Sequence, residues 1–190
     1  MTGGAARILG RHLAAFWREE SGGPTVEFVL VVPFFFAFFI GSFEIGMLMV
    51  RQTFLDRGLD LAVREVRLGH FFSQSTGEDM LTHDTLRAAI CDRAVIVPNC
   101  NDRLKLEMVE IDPRNWTNVN PEADCVDVGD PGAPVRDFRN PDENELTFVR
   151  ACALFRPYAP VAGLGASLQR QSGDFIAVFS TTAFVVEPRR

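Results

Sequence analysis

Between Phe28 and Val50 the chain runs for 23 residues with one charged side chain, Glu44, and no other feature restricts the fold as strongly. A spanning helix needs about 20 consecutive apolar residues at about 1.5 Å of rise each, so this run predicts a helix that crosses a bilayer. A cleaved secretory signal would carry an apolar core of about 7 to 15 residues and then a small-x-small cut site. The run is longer than that, although Gly41-Ser42 and Gly46 keep the alternative open. Pro33 lies inside it. Membrane helices tolerate proline because neighbouring groups can satisfy the freed carbonyl, so a kink rather than a break is expected there.

Around this run the chain divides into a short Arg-bearing leader (1–22), the membrane helix (23–50), a stalk (51–69) and an extramembrane domain (70–190). Arg7, Arg11 and Arg18 precede the run, but Arg51, Arg57, Arg64 and Arg67 follow it, so the balance of basic residues does not orient the helix. Cysteines are more informative. Cys91, Cys100, Cys125 and Cys152 all lie in the domain, an even number without a C-x-x-C pair. That suits two disulfides in an oxidising compartment better than a zinc site. Of three possible connectivities, Cys91 with Cys100 and Cys125 with Cys152 is preferred for nearness in sequence; four buried free thiols is the other reading.

Beyond Val50, Phe54, Leu55, Leu59, Ala62 and Val66 fall on one helical stripe, so the membrane helix is expected to run on as an amphipathic stalk to Leu68 and stop at Gly69. A second helical pattern spans Asp79 to Ile96, with Leu81, Leu86, Ala89, Ile90 and Ala94 on one face. The period then changes. Leu104 to Ile111 alternates with charged residues, while Leu146–Phe155 and Phe175–Val186 are rich in Val, Phe, Ala and Thr, giving three candidate strands most easily joined antiparallel. The expected class is α+β: a long N-terminal helix, a second helix and a small antiparallel sheet. Asp112 to Glu145, rich in Asn, Pro, Gly and Asp, reads as a long acidic loop. Asp124, Asp127 and Asp130 within it lack the spacing of a calcium loop and are expected to be solvated.

A net charge of -6 without a basic stripe excludes a nucleic-acid partner. No nucleophile elbow, zinc helix, phosphate loop or dinucleotide fingerprint occurs. His12, His70 and His83 are scattered and read as surface residues. The expectation is a protein without catalysis, cofactor or metal.

Glu27 stands just ahead of the apolar run and needs a reason, because a charge near a membrane helix is costly unless used. Gly22 followed by Gly23-Pro24-Thr25-Val26-Glu27-Phe28 resembles the signal of type IV pilins and pseudopilins. With Pro33, Gly41, Glu44 and the Arg-containing stalk, residues 20–69 resemble the TadE/TadG-like proteins of tight-adherence (Flp) pilus systems. The absence of a D-x-S-x-S motif is similar to the smaller, TadE-like kind. The resemblance implies cleavage by a prepilin peptidase between Gly22 and Gly23, beside Pro24, which restricts the backbone there. It implies a pilin-like fold and an assembly charge at Glu27 that pairs with the new amine of a neighbouring subunit. It further implies other pilins or pseudopilins and an assembly platform as partners, and a single-pass place in the bacterial inner membrane with a periplasmic domain. Glu27 as a carboxylate that caps the first turn or rests among headgroups is the other reading. At the level of the whole chain, the alternative is a signal-anchored periplasmic module that binds a ligand or protein. Glu44 is expected at the outer interface, snorkelling or pairing with an arginine such as Arg51.

Overall fold

A computed structural model describes residues 22–71, 81–114, 119–127, 130, 132, 137–160 and 163–187. The leader lies outside the described residues except for Gly22. Helix α1 spans Gly23–Arg67, 45 residues, or about 68 Å at the standard rise. Gly22 is its N-cap, and the Gly22 carbonyl accepts the first helical bond from the Val26 N–H at 3.1 Å. Pro24 falls in the first turn, where its missing N–H removes no helical bond. Pro33 sits inside the helix, which continues through it. The helix stops where the sequence places the stop. Gly69 adopts φ +76°, a left-handed conformation suited to glycine, and its N–H closes onto the Val66 carbonyl.

Along α1 the environment changes at Gly41. From Gly23 to Ile40 every side chain is exposed except half-buried Val32, although nearly all are apolar. A helix that is apolar all round must be surrounded by something other than water. From Gly41 onward one face is covered, and Leu55, Leu59, Ala62 and Val66 are fully buried. Phe54, expected on that stripe, is only half-buried, and Val63 and Gly58 take its place. Gly58 is required by packing: a Cβ there would stand 2.9 Å from the Ile90 carbonyl oxygen and 3.3 Å from the Ala94 Cβ.

Helix α2, His83–Cys91, is shorter than the pattern over Asp79–Ile96 suggested. Its start is set by Thr82, whose hydroxyl accepts the Thr85 N–H while the Thr85 hydroxyl accepts the Thr82 N–H. Ala94 and Val97 are buried beyond its end, carried by turns rather than helix. The chain reverses through Asn99 at φ 51° into α3, Cys100–Arg103, and the Cys91–Cys100 disulfide ties the two helices together.

Strands β1 (Leu104–Glu110), β2 (Leu146–Phe155) and β3 (Ile176–Val185) form an antiparallel sheet in the order β1-β2-β3, with the short helix α4 (Gly163–Ser167) between β2 and β3. Leu106 stands opposite Ala151 and Cys152 opposite Phe179. Period-2 alternation therefore divides the side chains between two faces. The inner face, with Leu104, Leu106, Met108, Val149, Ala151 and Val178, joins the buried residues of α1 and α2 in one core. The outcome is the expected α+β architecture, with the upper half of α1 as one wall of the core.

The candidate assembly segment and its surroundings

The processing and assembly residues implied by the sequence lie at the exposed start of α1. Gly22 and Gly23 are exposed, and nothing within 4 Å would meet an added Cβ at either. The bond between them is the junction of cap and helix. Glu27 is exposed one turn further in, beside exposed Val26 and Phe28. The first turn contains no acidic residue and Gly22 makes no side-chain cap, so Glu27 does not cap this helix. Among the described residues it forms no ion pair. It is a carboxylate on an otherwise apolar cylinder, a placement that costs free energy unless a positive group meets it.

Glu44 behaves differently from expectation. Rather than lying at an interface facing water or lipid, it is 2% exposed and turned into the chain's own fold. Its Oε1 accepts the Ala159 N–H at 3.3 Å and its Oε2 the Gly165 N–H at 3.0 Å. A Cβ on Gly165 would stand 2.6 and 2.8 Å from the two carboxylate oxygens and 2.5 Å from the Ala159 carbonyl, so only glycine fits. Arg51, two turns up the helix, is 5% exposed and lies over the rings of Phe155 and Tyr158, at 4.3 and 5.0 Å from their centroids. The sequence offered no sign of either partnership, because segment 159–165 lies more than 100 residues away and carries no charge.

The outer face of the sheet holds residues 119–127 of the acidic excursion between β1 and β2. Asp124, expected in solvent, is buried with its carboxylate 3.3 Å from Lys105 Nζ. Glu107 Oε2 meets Arg150 Nε at 2.6 Å, while its Oε1 accepts the Asp124 N–H at 3.0 Å. Arg150 also donates to the carbonyls of Asn120 and Glu122. The Cys125–Cys152 disulfide fastens the same segment to β2, so both bonds join the cysteines nearer in sequence. Asp124 is thereby engaged by a lysine, away from any calcium arrangement. Beside the disulfide, Glu122, Asp127, Gln169, Gln171 and Phe179 line an open groove of about 630 Å³.

His83, read as a surface residue, is partly enclosed. Its Nε2 accepts the Leu106 N–H at 3.2 Å, so the proton of the neutral ring is on Nδ1, which donates to Asp84 at 3.2 Å. Burial holds its pKa below the usual histidine value despite Asp84. Contact with His83 and Arg87 holds the Asp84 carboxyl below its ordinary value. His70 remains exposed, and His12 lies outside the described residues.

Compared with known proteins, residues 22–64 match the model of a family described as TadE-like protein. No curated protein and no solved structure matches the chain. The matched segment begins at the Gly22 cap and ends in the last turn of α1, and α1 is, among the described residues, the one helix long and apolar enough to cross a membrane, which fits a single-pass anchor. Over this segment, which holds Gly22, Gly23, Glu27 and Pro33, the chain is similar to TadE-like proteins.

Proposed function

We propose that the protein is a pseudopilin of a tight-adherence (Flp) system: a non-enzymatic component in assembly or initiation of the pilus, anchored in the bacterial inner membrane with its disulfide-bonded domain in the periplasm. The observation that carries this reading is the TadE-like match to residues 22–64, which covers the free apolar length of α1 and the exposed Glu27. A prepilin peptidase would cut between Gly22 and Gly23. The cut would leave an amine at the membrane edge, and Glu27 of one subunit would pair with the amine of another. In a low-dielectric setting the pair offsets part of the cost of holding either charge there, and an unmatched charge stays costly. Glu27 would thus set both partner and axial register, with other pilins or pseudopilins and the inner-membrane assembly platform as partners.

The N-terminal sequence of the protein recovered from membranes tests this. A chain that starts at Gly23 supports it, and one that starts near Met1 would sink the processing step. A start beyond Gly41 would indicate an ordinary secretory signal. A second reading, a signal-anchored periplasmic module that binds a ligand or protein, draws support from the groove beside Phe179. It predicts an uncut Gly22 and no loss of function in Glu27→Ala.

A further inference from the structure

Helix α1 is too short, below its own domain, to cross a bilayer alone. From Phe28, the first residue past Glu27, to Ile40, the last before the domain closes on the helix, there are 13 residues, about 20 Å of rise. The hydrocarbon layer is about 30 Å thick. With Glu27 at the inner boundary, the outer boundary falls about 10 Å higher, near Met47. Whatever packs on α1 between Gly41 and Met47 then stands at membrane depth.

Packed there are residues 157–160 and 165–169, the described parts of a strap, and no charged residue lies between Arg156 and Arg170 in the sequence. Irregular backbone at such depth is tolerated only if its polar groups are satisfied within the protein. Glu44 does this for the N–H groups of Ala159 and Gly165, and Arg170 Nη2 does it for the Pro160 carbonyl at 2.7 Å. Tyr158, the single tyrosine of the chain, stands edge-on to Phe43 at 5.6 Å, with Tyr158 56% and Phe43 52% exposed. An amphipathic ring half-covered by a membrane helix is what the headgroup zone favours.

From these observations we propose that this strap is a lipid-facing underside of the domain, its residues 157–160 and 165–169 seated in the outer headgroup zone with Tyr158 as the interfacial anchor. The domain then rests on the bilayer rather than standing off it on a stalk. This inference rests on α1 spanning the membrane, and its test separates the two.

In a Trp17→Phe, Trp116→Phe background, single tryptophans replace Tyr158, the 77% exposed Phe38, which lies about 16 Å past Glu27 and so near mid-span, and Val95, which is 72% exposed. The full chain is reconstituted into phosphatidylcholine vesicles brominated either near the headgroup or deep in the acyl chain. The expected result is several-fold stronger quenching of Tyr158→Trp by shallow than by deep bromines. Phe38→Trp is expected to be quenched best by deep bromines and Val95→Trp by neither. Quenching at Phe38→Trp with none at Tyr158→Trp would overturn the seated strap and leave the anchor intact. No quenching at Phe38→Trp would overturn the anchor and the strap together.

Discussion

The two faces of the sheet are held by different physics. The inner face is closed by apolar side chains against α1 and α2, a non-directional force roughly proportional to the area removed from water. The outer face has a small apolar cluster around Leu154 and Phe175, but its acidic segment is held by Lys105–Asp124, Glu107–Arg150 and a disulfide, each of which requires a specific partner at a specific distance. The inner face therefore tolerates changes that keep volume. The outer face tolerates removal of a whole pair better than removal of half of one.

The largest effect is expected on the inner face. Leu59→Ala, at a fully buried position of α1, should cost about 3 to 4 kcal/mol, measured by denaturation of the full chain in detergent micelles. A cost under about 1 kcal/mol would mean that α1 is not a wall of the core. On the outer face, Arg150→Ala leaves Glu107 buried without its partner and should cost about 3 kcal/mol. Replacing both, Glu107→Leu with Arg150→Met, should cost less than that single change. A double variant worse than the single would show that the pair itself holds the excursion.

Replacing Cys125 and Cys152 by alanine should cost about 2 to 3 kcal/mol, and limited proteolysis should then cut first within residues 112–145. First cuts elsewhere would separate the disulfide from the excursion's order. The smallest effect concerns His83 at the β1 edge. Its folded pKa is depressed below 6.5, so the unfolded chain binds the proton more readily. Stability is then full above about pH 6.5 and falls as pH drops from there toward the folded pKa. A His83→Gln variant should flatten that window in thermal melts. An unchanged slope would assign the dependence to another group. Asp84, held below its ordinary carboxyl value, acts in a lower window, with loss only as pH falls through the carboxylate range.

How much of this could be read from the chain follows the same division. The strands were legible because β1 alternates and because β2 and β3 are rich in branched and aromatic residues bounded by turns. The end of α1 was legible from Gly69. Local spacing could not reveal that α2 stops at Cys91, since Ala94 and Val97 continue the apolar pattern on turns. Nor could it reveal the burial of Glu44, Lys105, Glu107 and Asp124. Each of these charges is buried by a partner distant in sequence, and side-chain type alone predicts exposure. Gly22, Gly23 and Glu27 could be singled out as candidates because they lie within one short stretch. The glycine at 165 could not, because the carboxylate it makes room for is on another element.

The unbroken course of α1 from Gly23 to Arg67 has a mechanical meaning. Anchor and core wall are one rod with no flexible linker between them, and a pull on the membrane end is carried along the helix axis to Leu55, Leu59 and Val66. A load applied near Glu27 would be borne by the domain's packing. Extracting the anchor and unfolding the domain are then coupled events, and the resistance of the one is set by the stability of the other.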